Sequence, residues 1–437
     1  MMRYTTLLLL VPIVMVLVAS CKKNDDTSAP YINITGPSAG STYSYLDVIG
    51  VSAHVSDNVN LQSIKVTVTN AAGQKFLQEI NYANAGREKH IATTLVHNDQ
   101  HLVTGTYYIT ITVSDGENEM TAFREITLYE GPTVLETTFV LTQSISDFYS
   151  LNILDNSTIT SQWVFSGEVS NVHINSRYDR LYHFEESSKL VEIRQGNSGA
   201  YVGSQYFSTG TFGDVFFNCT ANDESSHKLY FSTDEYTIYS ASTNGNFTIE
   251  ITLPGGYTAN HMEITEDYLY AHCENITNTA HHIAQYLLST GELMQSLDLP
   301  MSHEIMGLHA IDNEHVLLAG NENSNSLFKI YNAATNATNG VFTLYNQFPC
   351  SGLWPALNGA FIVAHNNNLV RYNNDIEIEA TSTAIGVATS VAVEKISGKV
   401  YSIISGDIYE YAYSDLSNTA FVNGSGTARK VLFRYNK

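Results

Sequence analysis

The residues best suited to chemistry in this chain are histidines set beside carboxylates, amides and aromatic rings. His261 with Glu263, the doublet His281-His282 and the doublet His303-Glu304 stand out. Adjacent side chains of a strand point to opposite faces, so neither doublet offers two ligands to one ion. His261 and Glu263 share a face, yet two protein ligands fall short of the three that a catalytic zinc takes. The patterns H-E-x-x-H and G-x-S-x-G are absent, as is a glycine-rich phosphate loop. No catalytic residue, metal centre or cofactor is therefore assigned. What remains is recognition, because an aromatic plane beside directional Asn, Asp and His groups suits a polar, ring-shaped ligand such as a sugar. The candidate ligand-binding residues are Tyr257, His261, His303, Glu304, Trp354, Asp234, Asn323 and His365. Asp234 paired with Glu304 would suit glycoside cleavage if the fold brought them to hydrolytic spacing. The plainer reading makes Asn and Asp turn formers, and gives inner polar groups such as His173 and Glu263 to hydrogen bonds with neighbouring strands.

The elements that must position these residues are strands. Helical patterning is nearly absent, and 28 tyrosines with many Thr, Val and Ile lie in short runs punctuated by Gly, Asn and Asp. From about residue 131 a pair of strands recurs. Leu181-Tyr182-His183-Phe184 with Leu190-Val191-Glu192-Ile193 returns in pairs beginning at Leu229, Leu269, Val316, Phe361 and Val400, spaced 39 to 48 residues apart. A recurrence of that length, with about four short strands per copy, is the pattern of β-propeller blades. Inner strands are expected at Asn171–Ile174, Asp214–Phe217, His261–Ile264 and Ser390–Val393, and outer ones at Phe247–Leu253 and Gly340–Tyr345. The remainder, Phe139–Thr142, Phe148–Leu154, Ser161–Phe165 and Lys430–Tyr435, makes a seventh set that closes the ring through both chain ends and leaves no free edge. This half, 131–437, resembles seven-bladed propellers of the quinoprotein-like and YVTN type, although WD40 marks and quinoprotein tryptophans are missing. The loops entering inner strands and those joining second to third strands are expected to share the mouth of the channel. They would gather Phe212, Asn260, His272, Glu322, Phe348 and Asn366 to Asn368 with the candidates above.

Residues 31–130 form a different unit. Seven strands are expected, at Tyr31–Ile34, Val48–Ser56, Gln62–Thr69, Lys75–Asn81, His90–Leu95, Gly105–Ser114 and Thr121–Tyr129, which is the signature of an immunoglobulin-like sandwich. Alternation places Ile64, Val66 and Val68 on one face, with Tyr107, Ile109, Ile111 and Val113 doing likewise. Asp57-Asn58 and Ser114-Asp115-Gly116-Glu117-Asn118 resemble the turns of cadherin-like and Ig-like modules of bacterial surface proteins. Some such modules hold calcium, for which Asp57, Asp115 and Glu117 would have to share one end of the sandwich; Asx turns are the simpler reading.

The N-terminus supplies an address. Arg3, the apolar run Leu7 to Val18, and Ala19-Ser20 before Cys21 follow the layout of a secretory leader. The run Leu17-Val18-Ala19-Ser20-Cys21 resembles the bacterial lipobox, which implies a leader at 1–20 and a lipidated Cys21 as the membrane anchor. The apolar run is shorter than the ~20 residues of a spanning helix, and Pro12 interrupts it. Lys22-Lys23-Asn24-Asp25-Asp26 resembles the export tag of Bacteroidetes lipoproteins, so residues 21–30 read as a tether and the outer membrane surface as the location. The chain carries 21 Lys+Arg against 43 Asp+Glu, a net charge of −22, and with no basic cluster beyond the tether pair nucleic acid is excluded as a partner. Cys219, Cys273 and Cys350 lack C-x-x-C spacing and read as buried thiols, with a Cys219–Cys273 bridge open if their strands adjoin. The sequence thus points to an all-β surface lipoprotein whose propeller is a non-catalytic platform for glycan or protein. A propeller-type polysaccharide hydrolase or lyase is the alternative.

Overall fold

The computed structural model describes residues 26–436, except 101, 146–147, 157, 208–215, 224–225, 344–347, 366, 384 and 423–425. The leader, residues 21–25 of the tether with Cys21, Phe212 and Asn366 lie outside the described residues. The chain divides into two compact units, the first ending at Pro132 and the second starting at Thr133. Regular structure among the described residues is strand, apart from one turn of 3-10 helix at Leu357–Gly359.

The first unit is a six-stranded sheet, fewer strands than the seven expected. Val48–Ser56 and Gln62–Thr69 run on as a single strand, Val48–Thr69, with register shifts between Ser56 and Leu61 and between Leu61 and Ser63. The turn signal at Asp57 is genuine, for its carboxylate accepts hydrogen bonds from the amides of Val59 (2.7 Å) and Asn60 (2.8 Å). It bends the strand without ending it. Lys75 makes only an isolated bridge to Thr69, and the next strand, Ile80–Val96, absorbs the one expected at His90–Leu95. Ile49, Val51 and Val55 from the first half of the long strand join Ile64, Val66 and Val68 from its second half in one core, so the sheet folds over on itself. Residues 26–28, expected to be free tether, are docked. Asp26 N donates to Glu117 Oε2 (2.7 Å) and Asn118 Nδ2 donates to Asp26 O (2.9 Å).

Among the described residues the second unit forms seven four-stranded antiparallel sheets. They are numbered I (169–206), II (217–252), III (257–299), IV (303–343), V (350–381) and VI (388–422), with VII formed by the C-terminal strand Thr427–Tyr435 beside the three strands within 135–166. In VII, Val431 pairs with Val140 and Leu432 with Phe139, so the two ends of the unit share one sheet. First strands of II and III, III and IV, IV and V, V and VI, VI and VII, and VII and I touch in turn. Asn171 and His173 complete the circuit from I to II, with 3.1 and 2.8 Å hydrogen bonds to Thr220 Oγ1.

The core of this unit lies in the seams. Tyr182, Phe184 and Phe231 fill the seam between I and II, Leu269 and Tyr230 the next, and Tyr270, Val316 and Tyr331 that between III and IV. Second strands are buried on both faces, as in Leu229–Phe231, because each sheet is packed between two others. The first strand of II is Phe217–Asp223, beginning where the expected one ended. Cys219, Cys273 and Cys350 are all free thiols, so no Cys219–Cys273 bridge is formed. Burial pushes the Cys219 and Cys350 thiols up to about 12.

Candidate functional site

The predicted residues fall on several sheets. Tyr257 and His261 belong to the first strand of III, and His303 and Glu304 to the first strand of IV. Asp234 and Asn323 lie in the turns after the second strands of II and IV, and His365 ends the second strand of V. Register puts His303 opposite Glu322 and Cys350 opposite His365, so strand starts and turns do meet at one end of each sheet. Trp354 does not join them. It lies four residues along from Cys350, pairs with Ile362, and packs over Gly352 into the cluster between V and VI. The mouth therefore lacks the tryptophan plane that the sequence led one to expect.

A pocket of about 220 Å³ opens between III and IV and unites Asn260, His272, Glu274, His281, His303 and Glu304, with Thr279, Met301, Ser302 and Ile305. Its two inner histidines have fixed tautomers. His281 Nε2–H donates to Pro300 O (2.7 Å), which leaves Nδ1 as the acceptor for His272 Nε2–H (3.0 Å). Burial, followed by the neighbouring His261, His281 and His282, lowers the His272 pKa to about 3, so the His272 imidazole is neutral at pH 7. His261 sits just behind, its Nε2 3.1 Å from Ile305 O, and its ring is stacked on His272 at 5.8 Å. His303 is nearly buried, with Glu322 Oε1 3.1 Å from Nε2 and Lys329 Nζ within 3.2 Å of both ring nitrogens. Burial and Lys329 lower its pKa against the pull of Glu322. The carboxylates are held by amides: Asn260 Nδ2 donates to Glu274 Oε2 (2.8 Å) and Asn321 Nδ2 to Glu304 Oε2 (3.1 Å). The result is a wall of oriented donors and acceptors flanked by carboxylates, with the exposed Met301 at its rim. That wall suits hydroxyl groups.

The other candidates stand apart from this pocket. Tyr257 packs against His282 at 4.7 Å. Asn323 is an exposed turn residue with φ of 50°, a conformation that asparagine tolerates. His365 is fully buried, 3.2 Å from Tyr372 Oη, and burial lowers its pKa to about 4. Asp234 is also buried, neither oxygen has a hydrogen-bond partner, and burial raises its pKa to about 6. It does not line the pocket that holds Glu304. His173 and Glu263 behave as the plainer reading had it, bonding Thr220 Oγ1 and the amide of Ala310 on the next sheet.

Two groups in the first unit carry metal-ligand chemistry. Asp26, Asp57 and Asp115 bring carboxylate oxygens within 4.8 Å of one another, the donor type of a hard cation such as calcium. Amide donors already offset part of their repulsion, including Glu117 N (2.7 Å) and Asn118 N (2.6 Å) on Asp115 Oδ1. The second group is His54, Glu88 and His90. Sequence reasoning missed it, and it also missed Glu274; alternation along paired strands was the one signal for the histidines.

No protein-family profile matches the chain, and no curated protein does. Several solved structures are similar in fold. Hydrazine synthase of Kuenenia stuttgartiensis aligns at TM-score 0.50 and 10% identity, over 63% of this chain and 94% of that one. The β-propeller domain of Cps50 (Swd1) from Myceliophteria thermophila aligns at 0.47 and 10%, over 65% and 90%. A protein of unknown function from Bacteroides caccae aligns at 0.40 and 12%, over 56% and 95%. The likeness is one of fold alone. It is to β-propeller proteins, in keeping with an all-β chain.

Proposed function

We propose that this chain is a Bacteroidetes-type surface lipoprotein, acylated at Cys21 on the outer membrane, whose second unit is a seven-bladed propeller that binds glycan without turning it over. The first unit is an immunoglobulin-like spacer. Supporting that last point, Tyr107 Oη donates to Val103 O (2.8 Å) near the start of its strand, in the manner of a tyrosine corner. The binding reading rests on one observation, the pocket between III and IV in which hydrogen-bonded histidines and amide-held carboxylates converge. Such a wall offers directional hydrogen bonds from groups held in place by their neighbours, which a polyhydroxyl ligand exploits. Asp234, the acid that the sequence offered as a partner for Glu304 in glycoside cleavage, lies outside this pocket, and the second carboxylate there is that of Glu274, held by Asn260.

The test is a panel of oligosaccharides against wild type, His303→Ala and Glu304→Gln, read by calorimetry and by product analysis. A bound glycan, no product, and at least tenfold weaker binding by both variants is the expected outcome. Glycan released as cleaved product would favour the hydrolase or lyase, and equal binding by variants and wild type would remove the pocket from the account.

A further inference from the structure

The first unit carries a histidine cluster that the glycan reading does not use. His54 and His90 face each other directly across antiparallel strands Val48–Thr69 and Ile80–Val96, and Glu88, opposite Ser56, lies two residues from His90 on the same face. Their orientation is fixed by what lies on the other side. Ala53 and Val55, flanking His54, and Ile91, beside His90, are buried in the core. A slip of one residue would put both imidazoles into that core, so the register that makes the core also makes the cluster.

The three side chains converge on one point. His54 Nε2 is 2.7 Å from Glu88 Oε1, His90 Nε2 is 3.5 Å from the same oxygen, and the two rings lie 4.7 Å apart at 32°. Donors bound at about 2.1 Å to one tetrahedral ion sit about 3.4 Å from each other. The observed separations bracket that value. The His54–Glu88 contact has to open, at a Glu88 side chain that is 60% exposed, and all three ligand atoms already lie within 4.8 Å of one another. Asn33 occupies the next position in the row, opposite His54. Lys89, the neighbouring cation, lies over the Tyr82 ring.

We propose that His54, Glu88 and His90 bind a divalent cation of the zinc and copper class. Two imidazoles and one carboxylate are a donor set that favours these ions over magnesium or calcium. Three protein ligands leave at least one coordination position open to water or to a ligand from outside. The proposal is independent of the pocket in the second unit. The competing account is that Glu88, Lys89 and His90 are polar side chains guarding a strand that pairs on one side only, which involves no metal.

Titration of the purified full-length protein with zinc chloride, with magnesium chloride as control, separates the two. Wild type is expected to bind one more equivalent of zinc than a His54→Ala/His90→Ala double variant, or to bind its tightest equivalent at least tenfold more strongly. Zinc should also raise the unfolding temperature of wild type more than that of the variant. Any uptake by the histidines of the second unit is common to both proteins and cancels. Should the double variant fail to fold, Glu88→Gln, at an exposed position, serves instead with the same tenfold expectation. Equal zinc affinity and stoichiometry in wild type and the folded variant overturn the proposal, as does a wild-type response to zinc no greater than that to magnesium.

Discussion

Removal of residues 427–437 should unfold the second unit as a whole, not merely fray its end. The deleted strand is the first strand of sheet VII and touches sheets VI and I. It buries Val431, Leu432 and Tyr435 to within 8% of full burial, and Ala428 beside them. At about 1.5–3 kcal/mol for each of the three large side chains, the loss is about 5–9 kcal/mol. That figure rivals the whole stability of a domain, about 5–15 kcal/mol. Polar links go as well: Lys430 Nζ to Asn171 Oδ1 at 2.7 Å, and Tyr435 Oη to the buried Glu394 Oε1 at 3.0 Å. The strand Leu135–Ile145 would also lose its pairing along one side. A graded version is Leu432→Ala, expected to cost about 2–3 kcal/mol. Urea and thermal unfolding, followed by tyrosine fluorescence and circular dichroism, are the assay. The truncated protein should lose the major transition and keep that of the first unit, which has its own core. A truncated second unit that melts at the wild-type temperature with an unchanged urea slope would refute the argument that the ring depends on this strand.

Two further outcomes are expected, one from the structure and one from the sequence. His365, wholly buried, has a pKa of about 4 folded against 6.5 unfolded, so the stability it confers is complete above pH 6.5 and is lost as pH falls towards 4. The shift corresponds to about 3 kcal/mol, and the difference in unfolding free energy between wild type and His365→Asn, measured across pH 4–7, should shrink by that order at the acid end. At the N-terminus, an alkyne-tagged fatty acid fed to expressing cells should label wild type and not Cys21→Ser; label retained by the variant would place the lipid elsewhere.

How far the sequence discloses this molecule depends on which faces of a strand are buried. The second and third strands of each sheet were legible because they are packed between two seams, so Leu229-Tyr230-Phe231 and Phe361-Ile362-Val363 are apolar without interruption. First strands face their neighbours through polar groups; those at 171–174, 261–264 and 390–393 were legible, and the reading slipped at one. Phe217–Asp223 contains Asn218, Thr220, Asn222 and Asp223 and reads as loop. It is a strand because its backbone pairs with Lys228–Thr233 and because Thr220 takes hydrogen bonds from Asn171 and His173. The sharing of sheet VII between chain ends was legible for a different reason, since a leftover single strand at one terminus and three at the other have no other way to satisfy their backbones. In the first unit Asp57 misled, because an Asx turn looks the same in sequence whether it ends a strand or bends it.

The functional groups were legible singly but not in combination, and the reason is register. His303 and Glu304 were identifiable as candidates, whereas their partners Glu322 and Asn321 reach them only because His303 pairs with Glu322 and Glu304 with Asn321. Trp354 failed for the same reason: five residues of strand are enough to carry a side chain from one end of a sheet to the other. The histidines of the first unit carry the point furthest. Nothing in the residues around His54 or His90 suggests a shared site, because the two lie 36 positions apart in different runs. Yet the alternation of Ile49, Val51, Ala53 and Val55 on one strand with Ile91 and Leu95 on the other permits one alignment of apolar faces, and that alignment sets the imidazoles opposite each other. The juxtaposition of the two imidazoles is thus a consequence of the register that builds the core, and any change that shifts that register removes it.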